Sequence, residues 1–353
     1  MDGSAITIAR AALGITQKDL ADQLGITQAT LSRYENNDRN IEDVTLQRIG
    51  DLLGVDFSAF KDVQRPERGP LAAEAHMRRR KSAPVGEWRK AEARLNLTRL
   101  EVGLLSRRLE VSPSLALPHL TPEEGYSPER AAQVVRAQWG MPIGPVRQLY
   151  QWIEAAGVFA FERDLSTAKV DGLSQVVDGV AVMLINSTFP PDRKRLTIAH
   201  ELGHIVMHSG MYIPEDPEKE ANEFAAEFLM PSTAIAPYLR KVSLNTLQAL
   251  KLEWGVSMQA LFERAYALGK VDKAQRVAFY KAMNRRGWKV NEPGSDRLPE
   301  ETPRMMRNVE KILLEAGFDA ADYPRLTGVD VYHPDSILSP PPPPRGLEIV
   351  RNR

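Results

Sequence analysis

The chain has 353 residues, and its 46 lysines and arginines balance its 46 aspartates and glutamates, so its formal net charge is zero. This length predicts two or three domains, and the charge balance favours no particular class of partner. The absence of cysteine excludes disulfides and thiolate zinc ligands, and it is compatible with a reducing cytoplasm. No apolar run has the character of a signal peptide or the length of a membrane span, which predicts a soluble cytoplasmic protein with no membrane partner.

Residues 1–64 are predicted to form five short helices separated by capping residues. Thr16 and Asp19 match a capping box that begins the second helix, and Gly25 is expected to end it. Thr27 is the expected N-cap of the third helix. The predicted core consists of Leu20, Ala21, Leu24, Ile26, Leu31, Ile41, Leu46, Ile49 and Leu52.

The segment ITQKDLADQLGITQATLSRYENNDRNI resembles the Cro/C1-type, or XRE, helix-turn-helix family, over about residues 6–60. The resemblance implies a DNA-binding domain whose third helix enters the major groove of double-stranded DNA. A homodimer on a palindromic operator is the expected assembly. The residues expected to contact DNA are Gln17 at a phosphate and Gln28, Ala29, Thr30, Ser32 and Arg33 at base edges.

The charge of this N-terminal domain argues against tight DNA binding. Acidic side chains outnumber basic ones over residues 1–64. Because much of the affinity for nucleic acid comes from neutralising phosphates, the domain alone is expected to bind weakly. A protein-interaction module with a helix-turn-helix shape is therefore the alternative.

Residues 65–125 are predicted to form a basic linker and a connecting helix. The linker contains the basic run Arg78–Lys81, which is either a solvated segment or an arm that contacts the DNA backbone. The helix is expected from Glu87 to Glu110, because leucines recur there at amphipathic spacing.

Residues 126–240 combine helical and strand-like patterns. The expected elements are helices at Ser127–Trp139 and Val146–Ala156, and strands at Val158–Phe161, Lys169–Val177 and Val180–Asn186. Asp178 and Gly179 form a tight-turn dipeptide between the last two strands. The third strand is almost continuously apolar, which predicts a central position in a small sheet.

The segment Leu196–His208, LTIAHELGHIVMH, contains the pattern HExxH. On a helix, His200 and His204 lie one turn apart on one face, so both imidazoles can reach a single ion. Glu201 can hold and deprotonate a water molecule at that ion. The alternative is a core helix whose histidines are satisfied by backbone carbonyls.

A catalytic zinc ion needs three protein ligands and one open position. The third ligand is expected from the next helical segment, PEKEANEFAAEFLMP at Pro217–Pro231. We expect Glu218 to be this ligand and Asn222, one turn later, to support a liganding histidine from behind. The competing candidates are Glu220, Glu223, Glu227 and His208.

The two motifs together, HELGHIVMH and EKEANEFAAEFLMP, resemble the ImmA/IrrE family of metallopeptidases over about Ser127–Pro231. The resemblance implies a zincin-like domain in which His200, His204 and Glu218 bind one zinc ion and Glu201 is the general base. Known members cleave a partner repressor protein. A protein substrate, such as a repressor, is therefore implied for this chain.

Residues 241–335 are predicted to form a helical C-terminal region, and residues 336–353 a proline-rich disordered tail. The expected helices are Leu244–Trp254, Ser257–Leu268, Ala274–Arg286 and Met305–Ala316, with Trp254, Leu261, Phe262 and Tyr266 in the core. This region contains no pattern typical of chemistry, and it is expected to sense a signal or to oligomerise.

The predicted fold class is α+β and mostly helical. The predicted function is a DNA-binding transcriptional regulator fused to a zinc-dependent endopeptidase. Tyr212 is a further candidate for stabilising an oxyanion. The alternative is a non-catalytic transcription factor, in a toxin–antitoxin or phage-immunity pair, whose peptidase fold is a sensor or an interaction module.

Overall fold

The computed structural model describes residues 3–60, 84–109, 112–209 and 215–339. It confirms an α+β fold that is mostly helical, with one three-stranded sheet among these residues. Contacts within the chain define two units. The first comprises residues from 1–64, 96–110 and 306–353, and the second comprises residues from 65–95 and 111–305.

Some predictions lie outside the described residues. These are the basic run Arg78–Lys81, the oxyanion candidate Tyr212 and most of the proline-rich tail. The predicted domain boundaries stay predictions. Within the described ranges, no helix combines the length and the apolar character that a membrane crossing requires.

The first unit begins with the predicted series of short helices. They are α1 (Ser4–Leu13), α2 (Gln17–Leu24), α3 (Gln28–Glu35), α4 (Asp43–Leu53) and a 3-10 turn (Phe57–Phe60). The Thr16 hydroxyl accepts from the Asp19 backbone amide, and the Asp19 carboxylate accepts from the Thr16 amide, which completes the predicted capping box. Gly25 ends α2 with a φ of 71°, a left-handed conformation that costs glycine little.

The core of these helices is largely the predicted one, with a correction at the end of α4. Leu52 is 41% exposed, and Leu53 is buried in its place. The buried positions of α4 are Leu46, Ile49, Gly50 and Leu53. They follow the helical spacing of three, four and seven residues, which Leu52 does not satisfy.

The C-terminal part of the chain packs against the end of these helices. Val55 forms an antiparallel bridge with Val329. On either side of it, the Asp56 amide donates to the Gly328 carbonyl at 2.8 Å and the Asp330 amide donates to the Gly54 carbonyl at 2.9 Å. Part of the predicted C-terminal region therefore belongs to the helix-turn-helix unit. Its helices are α14 (Met305–Glu315) and α15 (Tyr323–Thr327).

The second unit contains the sheet and most of the remaining helices. Helix α5 (Val85–Arg108) is shared, because the boundary between the two units falls within it. The helices are α6 (Pro128–Gln138), α7 (Leu149–Ala155), α8 (Pro191–His208), α9 (Pro217–Leu229), α10 (Ser232–Ile235), α11 (Leu244–Trp254), α12 (Met258–Ala267) and α13 (Lys273–Arg285). Single 3-10 turns lie at Pro122–Glu124, Ala236–Arg240 and Ser295–Arg297. The strands are β1 (Val158–Arg163), β2 (Gly172–Val177) and β3 (Val180–Asn186).

The sheet has the strand order β1-β3-β2, which confirms the central position of the apolar third strand. β1 runs parallel to β3, and β2 runs antiparallel to it. Asp178 and Gly179 form the tight turn with φ angles of 51° and 78°. β2 begins three residues later than predicted. The Asn186 amide donates to the carbonyls of Thr167 and Val170, and these bonds hold the preceding segment as a loop.

Helix α7 also begins later than the predicted Val146. Gln148 has a left-handed backbone, with a φ of 52°, and interrupts the helical pattern there. The Glu301 carboxylate accepts from the amides of Gln148 and Leu149 at 3.1 and 2.7 Å, so it caps the shortened helix. Of the predicted core residues further along, Tyr266 is the exception. It is 36% exposed and lies beneath the Arg276 guanidinium.

Buried ion pairs connect the first turn of α8 with residues of later parts of the chain. The Lys251 ammonium is fully buried and contacts the Asp192 and Glu292 carboxylates at 2.8 and 2.9 Å. Glu292 also accepts from the backbone amide of Met258, at the start of α12. A buried charge is stable only when partners replace its lost hydration, so these groups depend on one another.

We predict that Lys251→Met lowers the free energy of unfolding by about 3–5 kcal/mol, because it leaves two buried carboxylates without their cation. Urea unfolding of the full chain, followed by circular dichroism, measures the change. Glu253→Gln, an exposed position on the same helix, is the control and should change stability by no more than about 0.5 kcal/mol. Equal stability of the two variants would contradict the prediction.

Candidate metal centre

The HExxH helix and the following helix pack closely at a glycine. Gly203 of α8 faces Ala221 of α9, and a β-carbon added at Gly203 would lie 3.2 Å from the Ala221 α-carbon and 3.1 Å from the Phe224 ring. Such distances are shorter than ordinary carbon–carbon contacts. The absence of a side chain at Gly203 therefore lets the backbone of α9 approach the histidines.

This packing brings together the three predicted ligands. The Nε2 atoms of His200 and His204 are 3.0 Å apart. Glu218 places one carboxylate oxygen 3.6 Å from His200 Nε2 and the other 3.5 Å from His204 Nε2. Among the described residues, these three side chains are the group whose donor atoms lie close enough to hold a metal ion.

The spacing of these atoms can be compared with that of a zinc site. Tetrahedral zinc with bonds of about 2.0–2.1 Å separates its ligand atoms by about 3.3 Å. The observed separations of 3.0, 3.5 and 3.6 Å lie around that value. Two imidazoles and one carboxylate, without thiolates, are also the kind of donor set found in catalytic zinc sites. The residues present therefore fit the ion.

Asn222 contacts the first histidine of the HExxH pattern on the side away from Glu218. Its side-chain Oδ1 is 3.1 Å from His200 Nδ1. An amide oxygen only accepts, so His200 carries its proton on Nδ1 and has a lone pair on Nε2. That lone pair faces the Glu218 carboxylate and His204.

A second histidine pair was not predicted from the sequence. His208 Nδ1 is 2.8 Å from His204 Nδ1, and His208 Nε2 is 3.0 Å from the Glu220 carboxylate. Burial, with a smaller contribution from the charge of His200, lowers the pKa of His208 to about 4, so this imidazole is neutral at pH 7. The sequence indicates His208 only as a competing ligand, whereas its contacts place it behind His204.

Ser174 is a further residue of the site that the sequence did not indicate. It lies on β2, and its hydroxyl donates to Glu201 Oε2 at 2.7 Å. Both residues are buried. Because β2 and α8 are distant in sequence, no local pattern signals this contact. The hydrogen bond restricts the orientation of the carboxylate that is expected to act as the general base.

The competing acidic residues have other partners. Glu227 is buried in an ion pair with Arg264 and also accepts from Gln133. Glu223 is 3.6 Å from the ammonium of Lys219 on the same helix. Glu220 contacts His208, as described above. Glu218 is thus the one of the four acids that contacts both histidines of the HExxH pattern.

A cleft of about 1240 Å³ lies in the second unit, beside this group. Glu218 and Asn222 line one part of it, and Thr197 of α8 lies next to them. Gln259 and Tyr266, from α12, line another part. The cleft is large enough for several residues of an extended peptide.

The predicted DNA-contacting residues lie on α2 and α3. Gln28, Ala29 and Arg33 are exposed, and Gln17, Thr30 and Ser32 are partly exposed. The Gln17 amide donates to Glu35 at 2.7 Å, and Glu35 also pairs with Arg10 at 2.8 Å. These bonds fix the start of α2 relative to α3. Gln28 approaches Gln17 at 3.4 Å, so the two glutamines form one polar surface.

The comparisons with known families agree with both resemblances. Residues 153–266 match the family model described as an IrrE N-terminal-like domain. Residues 6–60 match a helix-turn-helix model. The chain combines a helix-turn-helix domain of the XRE type with a peptidase-family domain of the IrrE/ImmA type. Comparison with curated proteins finds no match. The first domain makes the chain a DNA-binding regulator, and the second gives it a metallopeptidase fold.

We predict that Gly203→Val lowers the free energy of unfolding by about 1–3 kcal/mol, because its side chain would overpack the contact between α8 and α9. Thermal unfolding of the full chain measures the loss. Gly103→Val is a matched control, since Gly103 is also helical and a β-carbon there meets no atom within 4 Å. If both variants melt at the same temperature, the close packing at Gly203 does not limit stability.

Proposed function

We propose that this DNA-binding regulator is an active zinc-dependent endopeptidase that cleaves a partner protein, such as a repressor. One observation carries the proposal: two imidazole Nε2 atoms and one carboxylate converge within 3.6 Å of one another, and Glu201 lies between the histidines in sequence. If both Nε2 atoms carry lone pairs, they repel each other at this distance unless a cation lies near them, and one zinc ion per chain would satisfy this requirement.

The chemistry then follows from the residues around the ion. A bound zinc ion would polarise the scissile carbonyl and lower the pKa of the attacking water. Glu201 accepts the proton of that water and later delivers it to the leaving amine. Ser174 donates to Glu201 Oε2 and so restrains the carboxylate to which we assign this proton transfer.

Strand β2 offers a means of binding the substrate backbone. Among the described residues β2 pairs with β3 alone, and an extended peptide can add to the other edge of such a strand. Ser174 lies on β2 and contacts Glu201. A peptide bound along β2 would therefore pass close to the general base.

The helix-turn-helix domain is proposed to act as a homodimer on a palindromic operator. Half-sites one helical turn apart would place two copies of α3 in successive major grooves. A dimer compensates for the excess of acidic side chains in residues 1–64, because the binding free energies of two weak half-sites add. Cleavage of the partner, or of the chain itself, would then be coupled to transcription.

We predict that Glu201→Gln abolishes cleavage, with a loss of about 10²–10⁴-fold, and leaves zinc content unchanged, because only the proton acceptor is removed. Wild-type and variant full-length chains, loaded with zinc, would be incubated with a host-cell extract. Mass spectrometry of new protein N-termini then identifies the products. Termini produced equally by both chains would remove Glu201 from the mechanism, and termini produced by neither chain would favour a non-catalytic transcription factor.

The metal site is tested separately by Glu218→Gln. This variant should lower the zinc content of the purified chain, because an amide is a much weaker zinc ligand than a carboxylate. Elemental analysis after dialysis against a chelator measures the difference. Glu223→Gln, on the same helix, should retain zinc like the wild type. A Glu218→Gln chain that retains full zinc would remove this residue from the metal site.

We predict that Gln28→Ala and Arg33→Ala each weaken binding to the preferred DNA sequence by about 1–3 kcal/mol, through lost contacts to base edges. Selection of bound oligonucleotides from a random library, followed by titration, provides the sequence and the affinities. Arg48→Ala, an exposed charge on α4, should reduce specific binding much less. Selection of no common sequence, or of one without an inverted repeat, would contradict the dimer on a palindrome.

A further inference from the structure

We propose that His208 and Glu220 are positioning residues that fix the tautomer of His204, so that its Nε2 atom carries the lone pair that a metal ion needs. We call Glu220, His208 and their two hydrogen bonds the histidine relay. The proposal deepens the proposed function and rests on the same metal centre. Among the described residues, the group whose donor atoms could hold the ion is His200, His204 and Glu218, and it includes neither residue of the relay.

The relay is a continuous chain of hydrogen bonds, of which the one between the two imidazoles is buried and the one to Glu220 is partly buried. His204 Nδ1 is 2.8 Å from His208 Nδ1, and His208 Nε2 is 3.0 Å from Glu220 Oε2. Both imidazoles are 6% exposed. His208 lies one turn after His204 on α8, and Glu220 comes from α9. Both ring nitrogens of His208 therefore have hydrogen-bond partners. An ordinary core residue is held by apolar contacts alone.

The direction of the hydrogen bonds follows from their chemistry. A carboxylate only accepts, so His208 must donate from Nε2 to Glu220. A neutral imidazole has one proton, so His208 Nδ1 is an acceptor. The proton between the two Nδ1 atoms therefore belongs to His204, and His204 has its lone pair on Nε2. The opposite tautomer of His204 would direct an N–H group toward Glu218 and could not bind an ion.

The relay performs for His204 the task that Asn222 performs for His200. Asn222 Oδ1 accepts directly from His200 Nδ1 at 3.1 Å. Glu220 and Asn222 lie on either side of Ala221, the residue that contacts Gly203. Helix α9 therefore supplies one supporting group to each histidine as well as the third ligand. Such supporting hydrogen bonds orient a liganding imidazole and raise its affinity for metal.

Two substitutions at one position separate this role from simple packing. His208→Leu fills the space without hydrogen bonds, so we expect zinc affinity to fall about 10–100-fold. In His208→Gln, the amide oxygen can accept from His204 Nδ1 and the amide nitrogen can donate to Glu220, so we expect most of the affinity to return. Competition with a chromophoric chelator measures affinity in the full chain without any substrate. Glu223→Gln is the control and should bind zinc like the wild type.

A second measurement reports the tautomer directly. In the metal-free wild-type chain, the ¹⁵N shifts of His204 should show a protonated Nδ1, and in His208→Leu a protonated Nε2 should appear. Unchanged shifts and zinc affinity in His208→Leu would overturn the relay, as would equal losses in the Leu and Gln variants. A chain whose zinc affinity depends on the relay but that cleaves nothing would support the relay and reject the peptidase, so the two proposals fail separately.

Discussion

The candidate site depends on how closely two helices approach. The atoms that could bind a metal are divided between α8 and α9, so the distance between these helices decides whether the carboxylate of Glu218 can meet the two imidazoles. Gly203 and Ala221 set that distance, because neither has a side chain large enough to separate the backbones. Phe224 and Phe228, both fully buried, stack behind this contact and complete the packing. The same contact positions the supporting residues, since Glu220 and Asn222 flank Ala221.

A second constraint acts at the other end of α8. Its first turns contain Asp192, Lys194 and Arg195, which are all buried. Each has a partner of opposite charge from another part of the chain. The partners are Lys251 for Asp192, Glu162 for Lys194 and Glu301 for Arg195. Because buried charges without partners are strongly destabilising, α8 can hold its position only while these segments pack around it. Residues 241–305, which show no pattern typical of chemistry, therefore support the helix that bears the histidines.

The helix-turn-helix unit is also stabilised by a segment that is distant in sequence. The segment around Val329 pairs with the chain at Val55, directly after α4, and so extends a small domain that would otherwise end at the 3-10 turn. A small helical domain buries only a modest core by itself. The added contacts increase that core, while Gln28 and Arg33 on α3 stay exposed. The segment around Val329 thus adds to the stability of the helix-turn-helix unit.

The sequence by itself determined the local features: the capping box of α2, the hairpin turn before β3, and the helices that carry HExxH and Glu218. These depend on residues within about one or two helical turns, where periodicity and capping chemistry act. It also indicated Glu218 and Asn222, because their spacing places both on one face of one helix. Only the tertiary structure decided that Ser174 contacts Glu201, that Glu220 reaches His208, and that Lys251 neutralises Asp192. Those pairs join segments that are distant in sequence or lie on different helices, and no periodicity within one element records which side chains will face each other once the elements pack.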